Sequence, residues 1–379
     1  MTTTINNEHK KLNVPNLRFK EFQGEWEEYR IEDITENISS GRCKSHSSSG
    51  KYNLYGSTGI IGKTNEAYYE GNLVLVARVG ANAGSLQILN EPCGITDNTL
   101  IIKPKEVDAQ YIYYFLQHFN LNRLIFGSGQ PLITGGMLKK VKVSLGTIKE
   151  QNKITRLLSI LDDRITTQNK IIDKLQSLIK GINQKVFAPE GVNYKVEELC
   201  KIKSGYSGNQ LTSKKGLKVS RIETISGHKV NVERVGYVPP FESSENYRLQ
   251  VGDILFSNIN SVEYIGNTAF VDKDYNLYHG MNLLRLVPND KVVMPFYLYL
   301  LLNTNRVLNR FKTICNKAVS QASINQTELG KLVLQIPDIN TQKQICELYQ
   351  ALYDKLESKK YANSLFQKQK QYLLRQMFI

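Results

Sequence analysis

Between Thr147 and Phe187, the residues Ile154, Leu158, Leu161, Ile165, Gln168, Ile172, Leu175, Ile179, Ile182 and Val186 follow one another in alternating steps of four and three. That alternation places them on one stripe, the seam of a coiled coil. About 40 residues at about 1.5 Å rise make a rod roughly 60 Å long. Pro189 stops it, because proline cannot continue the hydrogen-bond ladder. Gly181, which costs about 1 kcal/mol against alanine, loosens the last turn.

The same element returns at the C-terminus. Adding 191 maps Ile148, Gln151, Ile154, Leu157, Leu161, Asp163, Gln176 and Phe187 onto Ile339, Gln342, Ile345, Leu348, Leu352, Asp354, Gln367 and Phe378 without a gap. Upstream, Gln130, Ile133, Leu138 and Lys140 map likewise onto Gln321, Ile324, Leu329 and Lys331. In the second copy Ile345, Leu352, Leu356, Phe366 and Leu373 supply the apolar face, but Lys359, Asn363 and Lys370 fall on its seam. Gln168 and Lys359 are equivalent positions, where a polar residue fixes register at some cost in stability. Two unrelated amphipathic helices would not keep one offset from Gln130 to Phe187; duplication would.

With 379 residues the chain is too long for one ordinary core, and two or more domains are expected. A formal charge of +14 and a pI near 9.3 point to a polyanion such as nucleic acid, against the plain alternative of solvated lysines. Cys43, Cys93, Cys200, Cys315 and Cys346 lie far apart without a CxxC pair, which fits neither a zinc site nor a disulfide framework and suits a reducing cytoplasm. Five scattered histidines offer no metal-ligand spacing. No apolar run approaches a membrane span, and the start, MTTTINNEHKK, reads as a polar tail.

Phe19, Phe22 and Trp26, the chain's single tryptophan, are expected to anchor the segment from Pro15 to Trp26 on a neighbouring body. YRIEDITENISSG (29–41) has a counterpart in YKVEELCKIKSG (194–205), each a short helix signal followed by Ser-Gly at a turn. Between these landmarks and the rods the halves diverge. The first predicts strands at Leu73–Val79 and Thr99–Lys103, the glycine-rich loop VGANAG between them, and a helix capped by Asp108. The second predicts strands at Ile254–Phe256, Ala269–Val271 and Leu283–Leu286, then a helix opened by Pro295. One scaffold kept twice around different contents reads as one architecture presenting two surfaces. Twofold-related modules on B-DNA contact sites roughly 34 Å apart, and unlike surfaces imply a split, asymmetric site.

Several stretches resemble the specificity subunit of type I restriction-modification enzymes. They are LRFKEFQGEW, YGSTGIIGKT (55–64), VLVARVGANAG (74–84), ITDNTLIIKP (95–104) and GSGQPLITGGMLKKVKV running into IKEQNKITRLLSILDDRI. The second half matches more loosely through VGDILFS (251–257), MNLLRLVP (281–288) and SQASINQTELGKLVL (320–334). The resemblance implies two target-recognition domains, each reading half of a bipartite double-stranded DNA site, spaced by an antiparallel helical pair. It further implies two modification (methyltransferase) subunits docked on the helices, with restriction/translocase subunits joining for cleavage. S-adenosylmethionine, ATP and Mg are then expected on those partners, with no cofactor, metal or catalytic residue in this chain. The departure is the second loop, FSNINSVEYIG (256–266), where the first half has ARVG.

Candidate DNA contacts follow. Arg78 ends a strand beside Gly80 and Gly84, where backbone can approach a ligand closely, and a bidentate arginine–guanine contact is the commonest specific one. Asn82 shares that loop, and Ser257, Asn258 and Asn260 occupy the comparable one; ordinary turn roles are the competing reading. Gly41, Arg42 and Lys44 follow one Ser-Gly turn, Gly205 and Tyr206 the other, small residues beside a cation suiting phosphate approach. Gln130 and Gln321 either touch DNA or tie each domain to its rod. Lys139, Lys140 and Lys331 are candidate backbone contacts, and Tyr55, Ser57 and Lys63 are assigned to a GSTGIIGKT loop.

Two near-misses bear on catalysis. GIIGKT ends like a phosphate-binding loop, but the glycine required five positions before Gly62 is Ser57. Val238-Pro239-Pro240-Phe241 resembles the tetrapeptide of amino-methyltransferases, but valine has no oxygen to accept from a target amino group. The expected fold is therefore α+β / α/β, with two globular target-recognition domains alternating with two long helices paired as an antiparallel coiled coil in a pseudo-twofold internal repeat. The expected boundaries are a tail at 1–14, recognition domains at 15–146 and 189–337, and helical spacers at 147–188 and 338–379. The expected function is a non-catalytic, cytoplasmic DNA-specificity subunit; the alternative is a coiled-coil DNA-binding adaptor or repressor without methyltransferase partners.

Overall fold

A computed structural model describes residues 12–43, 49–125, 130–187, 191–317 and 321–379. Lys44, Gly127 to Gly129, Pro189, Ser320 and the first eleven residues of the tail lie outside the described residues. The chain divides into two compact units, Met1–Lys170 with Lys360–Ile379, and Ile171–Lys359.

In the first unit, strands β1 (Glu27–Arg30) and β2 (Thr35–Ser40) flank one 3-10 turn at Ile31–Ile34. They are followed by β3 (Tyr52–Gly56), β4 (Gly59–Thr64), β5 (Asn72–Ala77), β6 (Leu86–Asn90), β7 (Cys93–Ile95) and β8 (Thr99–Pro104). Helices α1 (Ala109–Phe119) and α2 (Gly135–Lys139), strand β9 (Lys142–Leu145) and the long helix α3 (Ile148–Val186) follow, α3 belonging to this unit as far as Lys170. The main sheet has the order β2-β8-β5-β6. Leu73 to Ala77 are all buried, as a strand covered on both faces requires. Asp108 caps α1 by accepting from the Gln110 amide at 2.9 Å, as its position predicted. Tyr111, Ile112, Phe115 and Leu116 bury the inner face of α1 in the same core as Ile154, Leu158 and Leu161 of α3.

The second unit repeats this order with β10 (Val192–Lys195), α4 (Val196–Leu199), β11 (Cys200–Ser204), β12 (Leu217–Val219), β13 (Gly236–Val238) and β14 (Ile254–Phe256). Next come β15 (Ile259–Asn260), β16 (Thr268–Phe270), β17 (Leu284–Pro288), α5 (Pro295–Leu302) and α6 (Asn305–Ile314). The last elements are β18 (Asn316–Lys317), β19 (Ala322–Ser323), α7 (Gln326–Gly330), β20 (Val333–Ile336) and α8 (Ile339–Met377), whose residues from Lys360 on belong to the first unit. Its main sheet runs β11-β17-β14-β16. Pro295 opens α5, where its missing N–H costs no helical bond.

The duplication is visible in the element ends. α2, β9 and α3 become α7, β20 and α8 on adding 191 to both ends of each, since 135, 142 and 148 become 326, 333 and 339. β1 and the turn after it become β10 and α4 on adding 165. The clasp that closes each unit also recurs: β1 pairs β9 from Glu27↔Leu145, and β10 pairs β20 from Val192↔Ile336, both antiparallel and four residues long.

The long helices pair antiparallel in both units. In the first, Lys370 bonds Asp162 at 2.6 Å and the Asn363 amide donates to Asn169 at 2.9 Å. In the second, the buried Tyr349 hydroxyl donates to Asn183. Each pair of residue numbers sums to 532, so one register holds in each unit. Two of the polar seam residues thus have partners, and Lys370 also lies 5.2 Å from the Tyr114 ring. Ile165, Ile172, Leu175, Leu352 and Phe366 are half-buried, while Ile345, Leu356 and Leu373 are buried within the chain's own cores.

Some local expectations are corrected. The short helices expected before the Ser-Gly landmarks are present at Ile31–Ile34 and Val196–Leu199, but a strand comes between, because ENISS and CKIKS pair into the main sheets as β2 and β11. GSTGIIGKT is no loop: it is the turn and second strand of the β3–β4 hairpin, with Gly59 at φ +130°. Trp26 does anchor the N-terminal segment, 3% exposed and edge-on to Tyr111. Among the described residues no helix is long and apolar enough to cross a membrane.

Candidate nucleic-acid interface

Strands β5 and β14 end in loops held by one hydrogen-bonded frame. In the first unit the Ala77 amide donates to Ser85 at 2.9 Å, Gly84 donates back to Ala77 at 2.8 Å, and Ile133 donates to Arg78 at 2.8 Å. In the second, Ser257 donates to Asn267 at 2.8 Å, Gly266 donates back to Ser257 at 2.9 Å, and Ile324 donates to Asn258 at 2.9 Å. Gly84 and Gly266 stand at φ +87° and +82°, the left-handed region where L side chains are strained. Val79 bridges Leu132, just as Ile259 pairs Ser323. Ala77, Arg78, Val79 and Gly80 therefore correspond to Ser257, Asn258, Ile259 and Asn260. The enclosed loops read RVGANA (78–83) and NINSVEYI (258–265), alike in anchorage and unlike in content.

At this end of the first sheet Ala77 faces Thr99 and Ser40 faces Leu100. The Arg78 guanidinium donates to Ser40 Oγ at 3.0 Å, and its Nε is buried without a partner. A half-buried guanidinium held by one hydroxyl keeps donors for a ligand. Gly80, at φ +76°, donates to the Pro131 carbonyl at 3.0 Å, which brings the exposed Gln130 beside the loop. Asn82 and Arg42 are exposed, and half-buried Ser57 donates to the Asn98 carbonyl at 3.2 Å, the same carbonyl that accepts the Arg78 amide at 3.1 Å. Arg42, Ser57, Arg78, Gly80, Asn82 and Gln130 are thus gathered at one end. Lys63 is exposed on β4, and Lys139 and Lys140 are exposed at the end of α2.

Other candidates have framework roles. A Cβ on Gly41 would stand 2.3 Å from the Ile95 carbonyl oxygen, and one on Gly205 1.8 Å from that of Gly280, so these glycines permit backbone crossing instead of phosphate approach. Ser257 is fully buried and accepts from the Asn260 amide at 3.1 Å, out of reach of DNA. Asn260 also receives the Ser261 amide, the Asx role weighed against it. Tyr206 is stacked on Phe241 at 3.9 Å, with Tyr247 edge-on, inside a small aromatic core. The Tyr55 hydroxyl donates to Glu91 at 2.7 Å, and burial with that carboxylate pushes its pKa up to about 12. Lys331 is exposed and pairs Glu328 at 3.2 Å; Gln321 is exposed beside β19.

Ser40 and Ser204 were not singled out, although the recurring Ser-Gly marked their place. Ser40 receives Arg78, and Ser204 receives the Gln326 amide at 2.5 Å. Asn258, at the Arg78 position, has a buried Oδ1 without a partner.

The sequence profile of the type I restriction modification DNA specificity domain matches this chain twice, over residues 23–177 and 189–364. The provisionally named MjaX type I restriction enzyme specificity subunit of Methanocaldococcus jannaschii is 44% identical over 150 residues, 39% of this chain and 35% of that protein. The MjaVIII type I specificity subunit of the same organism is 25% identical over 336 residues, 80% of this chain and 77% of its own. The first of these matches thus spans about a third of its relative's length. Among solved structures, the S subunit of a type I restriction-modification system from M. genitalium superposes with a TM-score of 0.67 at 16% identity, over 97% of this chain and 99% of that one. A chain from a structural study of type I complex assembly and conformational transition superposes with a TM-score of 0.56 at 15% identity, covering 92% and 96%. At such identities the likeness concerns the fold.

Proposed function

We infer that this chain, which belongs to the type I restriction-modification DNA specificity family, gives its complex sequence specificity by reading a bipartite, asymmetric site in double-stranded DNA. The observation that carries this reading is the doubled loop frame: backbone bonds hold 78–83 and 258–265 alike, while the side chains differ. Two readers on one frame suit two unlike half-sites. Arg78, Arg42 and Asn82 are assigned to the first, Asn258 with Gln321 to the second. Lys63, Lys139, Lys140 and Lys331 serve as phosphate contacts that fix position without reading sequence.

Two modification subunits dock on the chain, and restriction subunits join through them. S-adenosylmethionine, ATP and Mg belong to those subunits, and this chain positions the DNA without catalysing a step. A cytoplasmic assembly suits its five buried thiols.

Mapping methylated sites in cells that carry the complex with and without this chain tests the reading. A bipartite motif should appear only with it; identical methylation in both would reject it. Arg78→Ala should relax selectivity at one base pair, about 1–3 kcal/mol of discrimination. A uniform loss of affinity across sequences would make Arg78 a phosphate contact instead.

A further inference from the structure

At the far end of the first sheet is a cleft of about 410 Å³. It lies between the N-terminal segment, the Ile31–Ile34 turn, the stretch after β8 and the first turns of α3. Gln151 lines it, 2% exposed, and its Nε2 donates to the Gly146 carbonyl at 2.9 Å. The Oε1 of the same amide is buried and has no partner. The repeat shows what such an oxygen does when satisfied. Gln342, the equivalent residue, makes the same Nε2 bond, to the Pro337 carbonyl at 2.9 Å, and its Oε1 accepts from the Met294 amide at 2.8 Å. The second unit supplies that donor from its own backbone, at the cap of α5. In the first unit the acceptor is left for something from outside, since a buried unsatisfied acceptor costs about 1–3 kcal/mol.

The charge of the cleft names the donor. In a chain of formal charge +14, Glu25, Glu27, Asp33 and Glu106 surround this opening. Of its two cations, Arg18 is held by Glu150 through two bonds, 2.7 and 2.9 Å, leaving Lys105. Nor is it a place for phosphate. β8 leaves the loop end at Thr99, opposite Ala77, and reaches the cleft after Pro104, opposite Thr35. Five residues at about 3.3 Å separate the two ends by roughly 17 Å.

We propose that this cleft seats an arginine side chain of a protein partner, its guanidinium donating to Gln151 Oε1 and lying among the rim carboxylates. Arginine fits better than lysine, because a planar fork serves an amide oxygen and a carboxylate at once. On the reading above, the partner is a modification subunit, and the cleft is part of what that subunit grips.

The test uses the full chain. Glu25 and Glu106 are exposed on the rim, so Glu25→Lys/Glu106→Lys reverses its charge without disturbing the core. Assembly with the modification subunit, measured by calorimetry, should weaken at least tenfold. The matched control Glu233→Lys/Glu242→Lys, on exposed residues of the second unit, should assemble like wild type. Equal loss in both pairs, or none in the first, overturns the proposal. If wild type does not assemble, the docking reading fails, and the cleft is judged by titration with the tripeptide Gly-Arg-Gly. Saturable binding lost in Glu25→Lys/Glu106→Lys and absent with Gly-citrulline-Gly sustains the arginine seat; no saturable binding rejects it.

Discussion

Gly84 and Gly266 do the same conformational work in different surroundings. A Cβ on Gly84 would meet Leu121 Cβ and Asn122 Oδ1 at 3.3 Å, whereas one on Gly266 would lie 2.4 Å from the ring of buried Phe311. Gly84→Ala should therefore cost mainly backbone strain, about 1 kcal/mol, and Gly266→Ala a further 1–3 kcal/mol of overpacking. Denaturant melts of the two variants would show it, and equal destabilisation would contradict the packing. His279 sets a second expectation. It is buried with its Nε2 on the Leu283 carbonyl at 3.0 Å, and burial, with Arg285 and Lys203 nearby, lowers its pKa to about 4. The unfolded chain takes up that proton near pH 6.5 and the folded chain only near 4, so stability is lost as pH falls through this interval. The loss is about 3 kcal/mol at most, and His279→Gln should flatten it in melts between pH 7 and 5. At this scale the sequence was half legible. Glycines flagged the Arg78 loop, but nothing in SNIN says that Ser257, just past the end of β14, is fully buried while the next three residues are only half-buried.

Elements read more reliably when their periodicity is long. The stretch Thr147–Phe187, read as a rod from its ten seam positions, meets α3 to within a residue of its ends, Ile148 and Val186. The β3–β4 hairpin was missed because Gly, Ser, Thr and Lys carry loop chemistry, and its Ile60 and Ile61, 57% and 51% exposed, show no buried alternation. The polar seam residues looked like weakness in α8; the partners that make Asn363 and Lys370 tolerable, Asn169 and Asp162, lie some two hundred positions away in the chain. The helix pair makes its own prediction. Inserting one heptad in α3 and one in α8, opposite each other in the register, should lengthen the unread spacer of the DNA site. Methylome mapping that finds the spacer unchanged would remove the helices from any measuring role.

The whole molecule is legible as a duplication, and the two offsets say where it stops. Entry strands repeat at 165 and exit elements at 191, a difference of 26 residues that falls between β11 and α7. The middle could not be aligned by residue because what recurs there is a set of main-chain bonds, to which most side chains are indifferent. Exchanging residues 206–325 for those of a relative should change one half of the recognised site and leave the other. A change in both halves would show the readers to be coupled.

The amide of Leu17 donates to the carbonyl of Gln376 at 2.8 Å, so the segment before β1 is fastened to the last turn of α8 within one unit, and anything that frays that turn also loosens the segment carrying Trp26.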